Sequence, residues 1–354
     1  MKDYDCIMRR FLAITFSLLM VFAMVSCDSF RSLTGAKKTA QGAPYEVLVV
    51  CDGAEWESPL GAAIRDLFAT PVETLNQKEP MFDAVRITAR DFKHLLPSYR
   101  NILKVLCAPS VKECAMLVQY DVVASPQIVI TFQGPSIEAM VDYLNTNGES
   151  LLRVLEIAER NRTLEYGKKQ RVRSIEQLVE KKFAIEMTIP NSYRLRSESD
   201  DFIWISNEYP AASQGFFLYA HPFEGKRSLT TEALVKARNE FAQRIPGPAE
   251  GSYMTTVTKL PNIENDGYTP FLPERSVLKV NGVDWIVLRG FWDVKGDFMG
   301  GPFVSYTTLD KASGKLLTLD CYVYSPKYGK RNFLRPLEHL VYGINFPTET
   351  DKKQ

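Results

Sequence analysis

The hydrophobic positions follow two different patterns, one in each half of the chain. In the first half, short apolar runs such as 45–51 alternate with amphipathic segments, as strands alternate with helices in α/β proteins. Further strands are predicted at 85–88, 101–107, 116–120 and 127–132. Helices are predicted at 58–70, from 135 to an interruption at Gly148, and at 149–169. These patterns predict an N-terminal α/β domain over residues 44–170.

The second half has the pattern of an antiparallel sheet with helices packed on it. Strands are predicted at 183–189, 193–196, 202–206, 215–221, 276–280, 283–292, 303–309 and 316–324. Helices are predicted at 174–183, 231–244 and 332–344. We therefore expect a C-terminal α+β domain over 171–347, followed by a polar tail over 348–354. Its element order resembles the Mog1/PsbP-like α/β/α sandwich, an analogy of fold that carries no function.

The N-terminus has the features of a bacterial lipoprotein signal. Lys2, Arg9 and Arg10 precede an apolar run over 11–25, which is shorter than the ~20 residues that cross a bilayer comfortably. The run ends in Met-Val-Ser-Cys27, which resembles a lipobox. We predict a signal peptide over 1–26, diacylglycerol and an acyl chain such as palmitate on Cys27, and a flexible tether over 27–43. An uncleaved membrane helix is the alternative.

The predicted anchor and the charge balance indicate where the protein acts and exclude some partners. The anchor predicts a membrane-attached protein of the cell envelope, at the outer membrane and facing the periplasm. The full chain has 43 Lys+Arg and 42 Asp+Glu, a formal net charge of +1. Removing the predicted signal peptide takes three basic and two acidic residues, which leaves no net charge. Nucleic-acid binding is disfavoured because it requires a basic surface.

The residue types that usually carry catalysis or bind metals are sparse. The three histidines, His94, His221 and His339, lack metal-ligand spacing, and we expect each to be structural or solvated, with His339 on the polar side of the last helix. Neither a Gly-x-Ser-x-Gly elbow nor a Cys-x-x-Cys pair occurs. We expect Cys107 and Cys114 to be free thiols rather than a disulfide. The sequence therefore predicts no metal site, no cofactor and, on balance, no enzyme.

The loop at 51–58 is the best candidate for chemistry. It follows a predicted strand and precedes a predicted helix, where open α/β sheets bind ligands. Asp52 and Glu55 would act as acid and base or hold a divalent ion, and Trp56 would stack on a sugar or an aromatic ligand. The alternative is a capped helix start, with the acids favoured by the helix dipole and Trp56 packed on the domain edge.

The segment 295–302 holds a second group of candidate residues. Predicted strands flank it, so it is expected to be a hairpin connection in which Gly300 and Gly301 supply positive φ angles. The alternative to this purely structural interpretation is a docking surface. It would consist of Asp297, Phe298, Met299 and the two glycines.

Several stretches resemble one known family. They are PYEVLVV at 44–50, EPMFD at 79–83, ASPQI at 124–128 and GDFMGGPFV at 296–304. The chain resembles the Bacteroidetes lipoproteins grouped as domain-of-unknown-function family 4837, over nearly all of the mature sequence. This resemblance implies a lipobox and an envelope location, and it supplies no activity and no catalytic residues.

Two functions of different classes fit these features. The first is a non-catalytic binding or assembly module for another envelope protein or polymer, which fits the lipobox and the lack of a catalytic signature. The alternative is a hydrolase that acts on a cell-wall or glycan substrate through Asp52 and Glu55. Transport or sensing of a small ligand is a third possibility.

Overall fold

A computed structural model describes residues 37–209, 212–262 and 267–347 of the chain. The described residues form two units, one made of residues 37–64 and 84–147 and the other of residues 65–83 and those from 148 onward. The predicted signal peptide, Cys27 and the polar tail 348–354 lie outside the described residues. Within the described ranges, no helix is long and apolar enough to cross a membrane.

The first unit is built on a five-stranded sheet. The strands of this unit are β1 (Lys38–Thr39), β2 (Glu46–Val50), β3 (Asp83–Ile87), β4 (Asn101–Cys107), β5 (Ala115–Tyr120), β6 (Ala124–Ser125) and β7 (Ile128–Gly134). The sheet order is β3-β2-β4-β7-β5, in which β2, β4 and β7 are parallel and β5 is antiparallel to β7. β1 lies in the segment predicted as a tether and pairs with β6. The α/β class predicted for this half is confirmed.

Helices follow two of the three parallel strands of this sheet, β2 and β7. α1 (Gly53–Trp56) and α2 (Pro59–Phe68) come after β2, and α3 (Ile137–Lys169) comes after β7. The predicted interruption at Gly148 is wrong, because α3 is a single helix of 33 residues. A Cβ at Gly148 would lie 2.9 Å from Leu67 Cδ1, so the glycine permits close packing. The glycine therefore serves tertiary contact and does not end the helix.

The second unit contains an eight-stranded antiparallel sheet. Its strands are β8 (Arg194–Ser199), β9 (Phe202–Tyr209), β10 (Ala212–Pro222), β11 (Tyr253–Thr256), β14 (Glu274–Val280), β15 (Val283–Lys295), β16 (Gly300–Asp310) and β17 (Lys315–Tyr324). The order is β11-β15-β16-β17-β10-β9-β8, with β14 also paired to β15. The short strands β12 (Lys259–Asn262) and β13 (Gly267–Pro270) form a separate pair.

Helices cover both faces of the large sheet. The helices of this unit besides α3 are α4 (Arg173–Phe183), α5 (Thr231–Ala242) and α6 (Arg331–Glu338). Side chains alternate across the sheet, so Phe216 and Leu218 of β10 join the core that contains α4 and α6. Phe217 and Tyr219 join the opposite core, which contains α5. The predicted antiparallel sheet with flanking helices is therefore confirmed.

Three local predictions for this unit need correction. The segment 183–189 is not a strand, although Ile185, Met187 and Ile189 alternate inward, because it makes only an isolated bridge to residue 345. The predicted helix 332–344 is split into α6 and a 3₁₀ turn at His339–Gly343, and Pro336 removes a backbone donor inside α6. The sequence also missed β11, β12 and β13, which are short and lack a clear alternation of apolar residues.

Candidate functional site

The predicted site at the carboxyl end of β2 does not bring Asp52 and Glu55 into one hydrogen-bonded pair. Asp52 precedes α1 and its Oδ1 accepts a hydrogen bond from the backbone N–H of Ala89 at 3.1 Å. The backbone carbonyl of Cys51 accepts from Arg86 Nε at 3.1 Å. These two bonds tie the loop to β3 and to the segment that follows β3, and the Asp52 carboxylate helps to hold the loop in place.

Glu55 and Trp56 are both partly buried in the first unit. Glu55 is partly buried, and its Oε2 has no hydrogen-bond partner among the described residues. The Trp56 side chain is also partly buried, and a Cβ at Gly61 would lie 2.0 Å from the Trp56 carbonyl oxygen. The backbone of the loop is therefore pressed against α2, as expected for a packed helix start.

The surroundings of Cys107 and Cys114 disfavour the thiolate form of each side chain. In the described part of the chain, Cys51, Cys107 and Cys114 form no disulfide bond. Burial, followed by the charge of Glu55, raises the pKa of Cys107, and burial raises the pKa of Cys114. A raised pKa keeps a thiol protonated at neutral pH, and the thiolate is the reactive form. In the described part of the chain, no group of three or more His, Cys, Asp or Glu side chains is placed to hold a metal ion.

The last histidine is buried, which corrects the prediction that it lies on a polar helix face. His339 is 5% exposed, and its Nδ1 shares a hydrogen bond with Thr163 Oγ1 at 3.0 Å. Burial, together with the charges of Arg335 and Arg160, lowers the pKa of His339 to about 3, and Glu338 acts in the opposite direction. The ring is therefore neutral in the folded protein at physiological pH.

The buried histidine predicts a pH-dependent stability. The unfolded chain takes up a proton near the ordinary histidine pKa of 6.5, whereas the folded chain resists it down to about pH 3. The contribution of His339 to the free energy of unfolding is complete above pH 6.5 and falls by up to about 1.4 kcal/mol per pH unit as acid is added. We expect His339→Gln to flatten the decline between about pH 6 and about pH 4 in urea titrations. Equal slopes for both proteins would contradict this assignment.

The hairpin at 295–302 has the predicted strands but a different turn. β15 ends at Lys295 and β16 begins at Gly300, so the turn consists of residues 296–299. The positive φ angle, 92°, lies at Gly296 and not at Gly300 or Gly301, which corrects the prediction. Those two glycines lie in β16, where the backbone is too close to its neighbours for a Cβ. A Cβ at Gly301 would lie 2.0 Å from the carbonyl oxygen of Val323.

The candidate residues of this turn separate into an exposed tip and a buried base. Phe298 is fully exposed, and Asp297 Oδ1 accepts a hydrogen bond from the Phe298 backbone N–H. Met299, by contrast, packs against the core that contains α5. The side chain of Met299 also lines a pocket in the second unit, so only part of the predicted group borders a concave site.

The pocket beside the hairpin is lined by aromatic side chains. It has a volume of about 440 Å³. Its aromatic residues are Trp204, Tyr209, Trp292, Tyr322 and Tyr324. The rings of Trp292 and Tyr322 meet edge to face with centroids 5.6 Å apart. The centroids of the Trp292 and Tyr324 rings are 6.5 Å apart. The pocket thus presents several ring faces and edges that are fixed by their contacts with one another.

Gly215 and Trp204 position the central tyrosine. A Cβ at Gly215 would lie 2.6 Å from the Tyr322 hydroxyl, so the glycine on β10 makes room for the ring on β17. Trp204 Nε1 donates a hydrogen bond to the same hydroxyl at 2.7 Å. Burial raises the pKa of Tyr322 well above its ordinary value, so the phenol stays protonated.

Trp292 lines this pocket, and its indole N–H is an unusual polar group. Trp292 is 3% exposed, and its Nε1 has no hydrogen-bond partner among the described residues. A buried donor without an acceptor costs about 1–3 kcal/mol, so such groups in clefts are frequently completed by a ligand or water. Glu208 and Lys327 lie at the same pocket and add a carboxylate and an ammonium group. The sequence missed this site because its residues come from distant strands.

Comparisons with known proteins match two separate stretches of the chain to two family models. Residues 172–343 match the family described as Domain of unknown function (DUF4837), and residues 40–167 match Domain of unknown function (DUF8532). Both parts of the chain match families of unknown function. The resemblance to family 4837 is confirmed for the second part, whereas the first part matches a different family. A search of curated proteins found no significant match.

Solved structures with similar segments each cover less than half of this chain. A crystal structure from Bacteroides thetaiotaomicron VPI-5482 is 12% identical with a TM-score of 0.25, over 47% of this chain and 46% of that one. LpqN, involved in cell envelope biogenesis of Mycobacterium tuberculosis, is 13% identical with a TM-score of 0.27, over 46% and 82%. A mutant of the protein Mog1 is 9% identical with a TM-score of 0.29, over 47% and 93%. The chain spans less than half the length of the Bacteroides protein.

Proposed function

We propose that the protein is a non-catalytic binding module of the cell envelope, anchored through Cys27, that holds a saccharide chain of an envelope polymer. The anchor and the envelope location rest on the basic start, the short apolar run and the Met-Val-Ser-Cys27 sequence. The binding role rests on the aromatic pocket, and above all on Trp292, which lines it and whose indole N–H has no hydrogen-bond partner among the described residues.

The chemistry of the pocket favours a saccharide. Sugar rings present flat C–H faces, which pack on tryptophan and tyrosine rings such as Trp204 and Tyr324, and hydroxyls, which both donate and accept hydrogen bonds. One hydroxyl oxygen would accept from Trp292 Nε1, and another hydroxyl would donate to the exposed Glu208. A volume of about 440 Å³ is in the usual range for a small-molecule site and accommodates a short segment of a glycan.

Conservative substitution of Trp292 tests this proposal. Trp292→Phe keeps an aromatic ring and removes the N–H donor, so we expect about tenfold weaker binding to any oligosaccharide that the wild-type chain binds. The measurement is a screen of the full-length chain in detergent against soluble envelope oligosaccharides, followed by titration calorimetry of those that bind. Trp204→Ala is expected to weaken the same binding by removing a ring face.

Trp56→Phe is the matched control, because it makes the same change in the loop of the first unit. It should leave saccharide binding within about twofold of wild type. Loss of binding in Trp56→Phe but not in Trp292→Phe would move the site to the loop with Asp52 and Glu55. Release of new reducing ends by the wild-type chain would support the hydrolase alternative, and selective binding of proline-rich peptides would contradict the saccharide proposal.

A further inference from the structure

A second cavity in the second unit is lined by arginines and is separate from the aromatic pocket. It has a volume of about 520 Å³ and lies among the segment 70–73, α3, the paired strands β14 and β15, and α6. Arg153, Arg160, Arg289 and Arg335 all line it. None of these residues belongs to the aromatic pocket. The cavity therefore has its own chemistry, which the proposed saccharide site does not use.

The carboxylates of this cavity are already engaged. Glu338 forms ion pairs with both Arg289 and Arg335, and Arg335 also pairs with Glu156. Burial opposes ionisation of Glu338, but Arg289 and Arg335 hold the pKa of that carboxyl below its usual range. The exposed Glu73 side chain approaches Arg289 at 3.4 Å. Three carboxylates thus serve two of the four arginines.

The other two arginines are left without a carboxylate. Arg153 and Arg160 are seven residues apart, which places them on one face of α3 two turns apart. Neither forms an ion pair with a carboxylate among residues 37–209, 212–262 and 267–347. The guanidinium carbon of Arg160 lies 3.8 Å from the centroid of the Tyr342 ring, which holds the planar group in a fixed orientation on the cavity wall.

The rest of the wall adds hydrogen-bond donors and apolar surface. Tyr306 lines the cavity, and its buried phenol stays protonated because burial and the charge of Glu338 raise its pKa. His339 also lines the cavity and carries no charge that would compete for the arginines. Val72, Leu278 and Val287 supply the apolar part of the lining. A ligand that fits has one anionic end and an apolar body.

We propose that this cavity binds a small organic anion, a carboxylate or a phosphate monoester, whose charged group pairs with Arg160 and Arg153. A guanidinium matches the oxygens of either group with two parallel N–H donors, and such charged hydrogen bonds are among the strongest in proteins. The apolar body of the ligand would contact Val72, Leu278 and Val287. Pairing with the ligand would supply a counter-charge, since Arg153 and Arg160 form no ion pair with a carboxylate in the described part of the chain.

Titration calorimetry of the full-length chain with three probes tests this proposal. Phenyl phosphate and phenylacetate carry the two anionic groups on the same apolar body, and benzyl alcohol lacks the charge. We expect saturable binding of at least one anion and binding of the alcohol that is at least about tenfold weaker. The tighter of the two anions identifies the ligand class. Absence of saturable binding by both anions would overturn the proposal.

Charge-removing variants locate the site. Arg160→Gln is expected to weaken anion binding by about tenfold or more. Arg173→Gln removes the same charge at an exposed position of α4 outside the cavity, and it is expected to weaken anion binding by less than about twofold. Equal loss in both variants, or no loss in a folded Arg160→Gln, would overturn the assignment. If Arg160→Gln does not fold, Arg153→Gln is the deciding variant, because the Arg153 side chain is exposed and supports no core. Unchanged anion binding by Arg153→Gln would then overturn the assignment.

Discussion

Replacing Arg238 with methionine is expected to lower the free energy of unfolding by about 3–5 kcal/mol. Arg238 of α5 and Asp320 of β17 are both 0% exposed. Arg238 Nε donates to Asp320 Oδ2 at 2.8 Å and its Nη2 donates to Oδ1 at 3.1 Å. Its Nη1 donates to Thr256 Oγ1 at 2.9 Å, and the guanidinium carbon lies 3.7 Å from the centroid of the Phe303 ring. Loss of the arginine leaves the Asp320 carboxylate in the core without its counterion.

Urea denaturation followed by circular dichroism measures this effect, with Arg244→Met as the matched control. Arg244 pairs with Asp201, but both side chains are about 40% exposed, so its loss should cost less than about 1 kcal/mol. The double variant Arg238→Met with Asp320→Leu removes both charges and should recover part of the loss. A single Arg238→Met variant no less stable than Arg244→Met would show that the buried pair contributes little.

Replacing Gly301 with alanine is expected to destabilise the second unit by about 1–3 kcal/mol or more. A Cβ at this position would lie 2.0 Å from the Val323 carbonyl oxygen, which belongs to the backbone of the neighbouring strand and cannot rotate away. β16 must move away from β17, and this movement disturbs the pocket because the same Cβ would lie 3.3 Å from Trp292 Nε1. Thermal and urea unfolding measure the stability change, and tryptophan fluorescence reports the pocket.

Gly53→Ala is the control for the loss of a glycine. Gly53 has an ordinary φ, and a Cβ there would meet only one atom within 4 Å, the Arg86 guanidinium nitrogen at 3.5 Å. The free energy of unfolding of the Gly53→Ala variant should therefore differ from that of wild type by less than about 0.5 kcal/mol. A Gly301→Ala protein as stable as wild type, with an unchanged fluorescence spectrum, would mean that the strands separate at little cost.

The sequence predicted elements well where local periodicity and packing agree. β4 lies at its predicted bounds, Asn101–Cys107, and α2 begins at Pro59, within one residue of the predicted start at 58. The segment 183–189 shows where this agreement ends. Its alternating apolar residues are buried as predicted, but its backbone finds no continuous partner strand. Periodicity reports which side chains face the interior, and it does not report whether a neighbouring strand is present.

The structure shows the surroundings of the candidate residues, and their functional roles stay predictions. Asp52, Glu55 and Trp56 were selected because they lie after a strand, yet Asp52 bonds a neighbouring backbone N–H, and Glu55 and Trp56 are partly buried. Among the hairpin residues, Met299 reaches the aromatic pocket, whereas Phe298 is exposed at the tip. A signal for the pocket exists in the aromatic content of β9, β15 and β17, but it does not reveal which rings meet.

The apolar periods along the chain were sufficient to determine the fold class, because helices and strands each bury one side of a repeating local geometry. The absence of familiar catalytic spacing was also visible in the sequence. Only the tertiary structure decided which distant residues line the aromatic pocket and the arginine-lined cavity. Trp204 and Tyr322 are 118 residues apart and meet because antiparallel register aligns β9, β10 and β17. Arg160 and Tyr342 meet through packing of separate helical segments. Such contacts depend on long-range register and packing, which no local pattern encodes.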